Sequence, residues 1–389
     1  MSPAAASPIH GVCDPAFARV REALRDNFEE RDEVGAAVAV WIGGRPVLDL
    51  WGGHVDQEHT RPWRQDTLVN IYSVGKGVVA VLALALVARG RLDPDATVAA
   101  SWPEFGAAGK GGITLRELMA HRAGLPALRE PMANEVLADW SRVVASLAAQ
   151  EPWWLPGGAH GYHVNTFGFL VGEVLRRAAG ASCFSDALRE FVTRPVAADF
   201  HVGLNAADEA RCAGIVGVGA ALSNPEIARE AVAPASGDAA TDQMKWAAYF
   251  NPPAIAGFGV VNSSWWRRLA IPSTNGHATA RGVAAIYAAT LNPAFVPRLL
   301  LEDAIRPVSD GMDVILDRPT RFGLGFQLAQ ESRPIGPNPR AFGHFGYGGS
   351  LGFADPDAGL AFGYVMNRPG DRWQSPRTNA LIEAVYASL

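Results

Sequence analysis

Ser73-Val74-Gly75-Lys76 is the stretch of this 389-residue chain best suited to do chemistry. Lysine is scarce, with only Lys76, Lys110 and Lys245 against 31 arginines. A preference for arginine would replace any lysine wanted only for its charge, so each survivor raises the question of what arginine could not do. Arginine cannot lose its proton in a protein, whereas a desolvated lysine can act as a base. Serine at position i and lysine at i+3 share one face of a helix, close enough for the amine to accept the hydroxyl proton. Three lysines would give roughly 0.15 such pairs by chance, so the pair needs partners.

Two further stretches are candidates for those partners. Pro156-Gly157-Gly158-Ala159-His160-Gly161-Tyr162-His163-Val164 places Tyr162 after a loop, where its hydroxyl could carry a proton to a leaving group. His344-Phe345-Gly346-Tyr347-Gly348-Gly349 reads as a glycine-rich strand, where backbone can approach a ligand and complete an oxyanion hole. A start for the helix at Ser73 would direct its unpaired N–H groups and dipole toward negative charge.

The elements that must position these residues are legible in outline. Helical spacing runs from about Pro15 to Glu30, and apolar stretches Gly35 to Ile42 and Pro46 to Gly52 flank Gly43-Gly44 as a hairpin. A short strand, Leu68 to Tyr72, leads to Ser73 and to an apolar helix through Val87, ended by Arg89-Gly90. Helical patterns then dominate, at Leu115 to His121, Trp140 to Ala149, Gly168 to Ala179 and Thr279 to Leu291. Beyond Arg321, short apolar stretches at Phe322 to Leu328, Ala341 to Phe345, Leu351 to Ala354 and Leu360 to Met366 read as antiparallel strands. A helix from about Ser375 closes the chain. The expected fold is α+β: an antiparallel sheet domain from residues 1–95 and 310–389, a helical domain from 96–309, and the active site at their junction.

Composition excludes several classes. A net charge of −5 with no basic run leaves no footprint for nucleic acid or an anionic membrane. Cys13, Cys183 and Cys212 are too few and too scattered for a disulfide framework or a zinc site. His160 and His163 have no third metal ligand at suitable spacing, so neither metal nor cofactor is expected. Met1 to Pro15 lacks a secretory pattern and Val78 to Ala88 is too short for a bilayer span, so the expectation is a cytoplasmic protein.

The order of Ser-x-x-Lys, a tyrosine after a Pro-Gly loop, and His-x-Gly on a late strand resembles the serine β-lactamase and penicillin-binding-protein superfamily. More narrowly, it resembles the family VIII carboxylesterases, esterases with a class C β-lactamase fold. Weaker tags follow in the same order, among them Trp102-Pro103-Glu104-Phe105, His121-Arg122-Ala123-Gly124-Leu125 and Asn275-Gly276-His277-Ala278-Thr279. The resemblance implies Ser73 as acylated nucleophile, Lys76 as general base, Tyr162 in proton transfer, and the N–H groups of Ser73 and Tyr347 as oxyanion hole. Which of Lys76 and Tyr162 is the decisive base stays open. His344, Phe345, Gly346, Val164 and Trp154 are the implied substrate contacts, although Trp153, Trp154, Trp265 and Trp266 could equally anchor loops.

Two departures point toward neutral esters. Val164 stands where class C β-lactamases have the asparagine that binds a substrate amide, and His344 replaces the lysine of Lys-Thr-Gly. A histidine is mostly neutral near pH 7 and attracts a substrate carboxylate less than an ammonium does. The expected activity is hydrolysis of short-chain carboxylic esters through an acyl-enzyme, on small-molecule substrates, with at most weak β-lactam turnover. A β-lactamase, a D-amino-acid peptidase, a penicillin-binding sensor that acylates without turnover, and an acyltransferase share these motifs. Gly348-Gly349-Ser350-Leu351-Gly352 matches the G-x-S-x-G elbow of another hydrolase class. That motif needs a following helix and a later histidine, and here a strand pair follows and His344 is the last histidine.

Overall fold

The computed structural model describes residues 8–217, 236–370 and 374–389. The first residues of the Met1 to Pro15 segment lie outside them. Strands are β1 (Ile9–Cys13), β2 (Gly35–Ile42), β3 (Arg45–Gly53), β4 (Val69–Asn70), β5 (Phe200–Val202), β6 (Gly276–Ala278), β7 (Ser309–Asp313), β8 (Arg318–Phe322), β9 (Gln327–Leu328), β10 (Phe342–Phe345), β11 (Leu351–Asp355) and β12 (Leu360–Met366). The longer helices are α1 (Ala18–Glu30), α2 (Val74–Val87), α3 (Trp140–Ala149), α4 (Thr166–Ala179), α5 (Ala239–Phe250), α6 (Ala280–Thr290) and α7 (Pro376–Tyr386).

The side-chain alternation of β2 and β12 explains the layering. These strands lie side by side in the middle of an antiparallel sheet of order β1-β3-β2-β12-β11-β10-β9-β8-β7, with Val38 opposite Tyr364. Ala36, Val38, Val40, Phe362 and Tyr364 face one core with Val20 and Leu24 of α1 and Leu381 and Val385 of α7. Their neighbours Ala37, Ala39, Ala361 and Val365 face the larger core, which contains α6, α2 and the helical region. Both faces are covered, so β2 and β12 read as nearly continuous apolar runs instead of alternating ones. The sheet is built from both chain ends with the helical segment packed against it, as the sequence led us to expect.

The face toward α6 carries small residues because the helix comes close. A Cβ at Gly363 would lie 2.3 Å from the Ala280 carbonyl oxygen and 2.8 Å from the Ala284 nitrogen. Neither atom can move without breaking the start of α6. We expect Gly363→Val to destabilise the protein by about 3 kcal/mol, read as a fall in the urea midpoint.

Helix α2 runs through the larger core, and Val74 through Leu86 are all buried. Its apolar sequence is therefore matched on every side, with α4 among its neighbours. It ends where Arg89 donates to the Ala85 carbonyl at 2.7 Å and Gly90 turns to φ +67°.

Five features differ from the expectation. Strand β1 precedes α1 and pairs with β3, and a hairpin of β7 and β8 forms the far edge of the sheet. The single strand expected at Phe322 to Leu328 is two, β8 and β9, separated by a turn at Gly325 with φ +79°. The expected helix at Leu115 to His121 stops at Met119. A second antiparallel sheet, β4-β6-β5, lies within the mainly helical part and was not foreseen.

Candidate active site

Strand β4 delivers the chain to Ser73. Tyr72 adopts φ +47°, unusual for a bulky non-glycine residue, and the backbone then enters α2. Ser73 is the first residue after this bend, and its side chain makes no capping bond to the helix. Its Oγ lies 3.0 Å from Lys76 Nζ instead. Ser73 is partly exposed while Lys76 is fully buried, so the hydroxyl is open to solvent with the amine behind it.

Lys76 Nζ also donates to the Ser273 carbonyl at 3.0 Å and lies 4.7 Å above the centre of the Tyr162 ring. Among the described residues no carboxylate pairs with it. Burial without a counter-charge pushes its pKa well below the ordinary lysine value, which favours the neutral amine a base requires.

Tyr162 is buried, with its ring stacked on Phe322 at 5.8 Å and edge-on to His121 at 4.9 Å. Its hydroxyl lies 3.4 Å from Nε2 of His344. Burial raises its pKa, opposed by the nearby Ser73 hydroxyl, so it stays a phenol at neutral pH. His344 is fully buried on β10, and its Nδ1 lies 2.8 Å from the Phe345 carbonyl. A carbonyl only accepts, so Nδ1 carries the proton and the neutral ring presents Nε2 as an acceptor to the Tyr162 hydroxyl. Burial, and after it the neighbouring Lys76, lower the His344 pKa to about 3.

The backbone N–H groups of Ser73 and Tyr347 have no hydrogen-bond partner among the described residues. Gly346, just before Tyr347, holds the glycine-rich strand against the turn that precedes Ser73. A Cβ there would lie 2.1 Å from Ser350 Oγ and 2.3 Å from the Ile71 carbonyl oxygen. The Tyr347 ring meets Tyr72 edge-on at 5.5 Å.

The surroundings of the other candidates differ. The Phe345 side chain packs in the core beneath α1 and α7, on the face opposite His344, because successive strand residues point to opposite sides. Gly346 approaches protein backbone, as its contacts show. Trp154 packs against Gly161 and meets His163 edge-on at 5.8 Å, and Trp266 is wholly buried in the larger core. Val164 is half-buried and packs against the small cluster of Ala127, Ala247 and Ala248, as do Trp153, Trp246 and Tyr249. Asn165, the nearest amide, is tied to Thr274 Oγ1 at 2.6 Å and the Ala248 carbonyl at 2.8 Å. Ser350, the elbow decoy, is buried, donates to the Ile71 carbonyl at 3.2 Å and is followed by β11.

Sequence reasoning missed Ser273, Tyr249 and Asp313. Tyr249 is close enough to Tyr162 to influence it electrostatically. Asp313 accepts the Tyr162 amide, 3.0 Å from each of its carboxylate oxygens. None is adjacent to a motif residue in the chain, so spacing carried no signal for them.

The buried histidines make acid stability predictable. Burial lowers the pKa of His163 to about 4 and of His277 and His344 to about 3, against 6.5 in an unfolded chain. Below pH 6.5 the unfolded chain takes up these protons and the folded one does not, so stability falls as pH falls toward 4. Each histidine contributes about 1.4 kcal/mol per pH unit across that interval. We expect urea unfolding at pH 5.0 to show a clearly lower midpoint than at pH 7.5. An unchanged midpoint would contradict the neutral, buried assignment.

A two-core antiparallel sheet with Ser-x-x-Lys at the head of a buried helix, a loop tyrosine and a glycine-rich strand facing it defines the serine β-lactamase-like fold. The Beta-lactamase family model matches residues 20–387, and the chain belongs to that family. It is 34% identical over 373 residues to Esterase/beta-lactamase LipL of Mycobacterium tuberculosis, covering 94% of this chain and 84% of that protein. Among solved structures, a family VIII carboxylesterase aligns with TM-score 0.89 and 36% identity, over 98% of this chain and 100% of that one. A penicillin-binding-protein homologue from Caulobacter crescentus aligns with TM-score 0.87, also at 36% identity, over 98% of this chain and 100% of that one. No helix among the described residues is long and apolar enough to cross a membrane.

Proposed function

We propose that the protein is a serine carboxylesterase that hydrolyses short-chain, uncharged carboxylic esters through an acyl-enzyme on Ser73. The observation that carries this reading is the 3.0 Å contact between Ser73 Oγ and the buried amine of Lys76. Lys76 takes the hydroxyl proton as Ser73 Oγ attacks the ester carbonyl. The oxyanion forms against the N–H groups of Ser73 and Tyr347 at the positive end of α2. Tyr162 gives a proton to the departing alkoxide and regains one from the Lys76 ammonium, which lies beside its ring. Water then adds to the acyl carbonyl, its proton passing through Lys76 to the departing Ser73 Oγ, and the acid is released.

Charge and hydrogen bonding support an uncharged substrate. His344 is neutral and buried, so it offers no fixed cation to a substrate carboxylate. Val164 has no hydrogen-bonding group, and the Asn165 amide is engaged with Thr274 and Ala248. The esterase names of LipL and of the family VIII structure agree with this assignment.

The test is a panel of p-nitrophenyl esters of increasing acyl length beside nitrocefin and a D-alanyl peptide, with Ser73→Ala as control. The highest kcat/KM is expected on short acyl chains. Faster turnover of nitrocefin or the peptide would replace the ester reading by a lactamase or peptidase one. A stable β-lactam adduct without ester turnover would make the protein a sensor.

A further inference from the structure

Tyr162 has no regular element of its own to hold it. The chain from 150 to 165 is loop, and α4 begins only at Thr166. The phenol must nevertheless sit within reach of Ser73. Three consecutive amides show how it is held. Gly161 N–H donates to the His121 carbonyl at 3.1 Å, and His163 N–H donates to His121 Nδ1 at 3.1 Å. Between them, Tyr162 N–H points to the opposite side and meets both oxygens of Asp313.

Asp313 stands at the end of β7, where the chain turns toward β8. It is 1% exposed. Besides the Tyr162 amide, it accepts from the amides of Ile315 at 2.9 Å and Leu316 at 3.0 Å, and from Thr320 Oγ1 at 3.0 Å. Thr320 gives its only proton to Asp313, so its oxygen accepts from His160 Nε2 at 2.9 Å. Four donors converge on one carboxylate, which is the environment of an anion; a protonated acid would set its own O–H against one of them.

The same turn holds the neighbouring wall. Asp317 N–H donates to the Asp313 carbonyl at 3.0 Å, and the Asp317 carboxylate lies 2.5 Å from Nζ of Lys245 on α5. Helix α5 also carries Tyr249, which is close enough to influence Tyr162. Val314 N–H meets the His160 carbonyl at 3.1 Å, and Gly161 is seated so closely that a Cβ would lie 2.6 Å from Val314 Cγ2. The β7–β8 turn is thus a mount for the tyrosine loop.

We infer that Asp313 is a positioning residue for the reaction, gripping the Tyr162 backbone so that the phenol stays in line with Ser73. This rests on the ester-hydrolase reading of the site. Asp313 does not touch the reacting atoms; it acts through Tyr162. A displacement of the hydroxyl by about 1 Å is enough to lower turnover on the order of 100-fold. Asparagine at this position keeps the shape but turns an NH2 group toward donors, which releases the grip.

The experiment is a double-mutant cycle on p-nitrophenyl butyrate. Wild-type turnover that Ser73→Ala abolishes is measured first, which tests the ester reading separately. Asp313→Asn is then expected to lower kcat by roughly 30- to 100-fold with KM changed by less than about threefold. In the Tyr162→Phe background the same change should move the residual kcat by less than about twofold, because the group it positions is already gone. A wild-type kcat in Asp313→Asn, or equal losses in both backgrounds, would overturn the assignment; equal losses would indicate a purely structural role. Should Asp313→Asn fail to fold, Thr320→Val removes one donor to the carboxylate. It is expected to lower kcat by roughly three- to tenfold in the wild-type background alone, and equal or no loss in the two backgrounds would overturn the assignment.

Discussion

Ser73→Ala is expected to bring hydrolysis of p-nitrophenyl butyrate down to the rate in buffer, a loss on the order of 10^4-fold or more. The same variant should form no acyl adduct by mass spectrometry when mixed with a slow ester or a β-lactam. The size of the effect follows from chemistry: without Oγ there is no atom to attack the carbonyl, and oxyanion donors alone leave only a residual. The fold should tolerate the change. Ser73 makes no capping bond, so the alteration removes only its side-chain contacts with Lys76 and Tyr162. An unchanged thermal midpoint would confirm that the loss is chemical. Activity comparable to wild type would move the nucleophile elsewhere, and Ser350 is no substitute because it is buried and donates to the Ile71 carbonyl.

Lys76→Arg should lower kcat by about 10^3-fold although the formal charge is unchanged. A guanidinium stays protonated, so it cannot accept the Ser73 proton. It is also larger than the amine it replaces, in a site with no exposed surface at Lys76. The pH profile supplies a second reading. Burial lowers the Lys76 pKa, and the base form exists above that pKa, so wild-type kcat/KM should rise with pH along a limb well below 10.5 and then level off. A limb close to 10.5 would mean that the amine is solvated or paired with an acid. Substantial activity in Lys76→Arg would pass the base role to Tyr162.

Much of the frame was legible because its physics is local. The hairpin of β2 and β3 follows from two apolar runs around Gly43-Gly44, and both glycines do take positive φ. The late strands announced themselves as apolar stretches between turns, and β10, β11 and β12 pair as consecutive antiparallel neighbours. The β7–β8 hairpin was invisible for a related reason. It lies at the sheet edge, and its sequences, Ser309–Asp313 and Arg318–Phe322, are polar. Edge strands do without the apolar alternation by which a buried strand is read. The small sheet β4-β6-β5 has strands of two or three residues, too short for any period to appear.

The rare lysines show the same division. All three are buried: Lys76 against Ser73, Lys110 between the Ala107 and Gln150 carbonyls, and Lys245 against Asp317. Burial on a slim stem is what they share, and a place beside a serine distinguishes one of them. Scarcity pointed to positions arginine could not fill, and only the surroundings separated the proposed base from the two anchors.

By itself the sequence determined that Ser73 and Lys76 share one helix face, because residues three apart on a helix are neighbours whatever the rest of the chain does. It also determined the apolar character of α2 and the absence of a hydrogen-bonding group at Val164. Only the tertiary structure decided that Lys76 is desolvated with no counter-charge among the described residues, that His344 presents an acceptor to Tyr162, and that Phe345 faces away. It also decided that Tyr162 hangs from Asp313, 151 residues further along the chain. Helix spacing is set by the few residues it spans, whereas burial, tautomer and anchoring depend on which distant segments the folded sheet brings together.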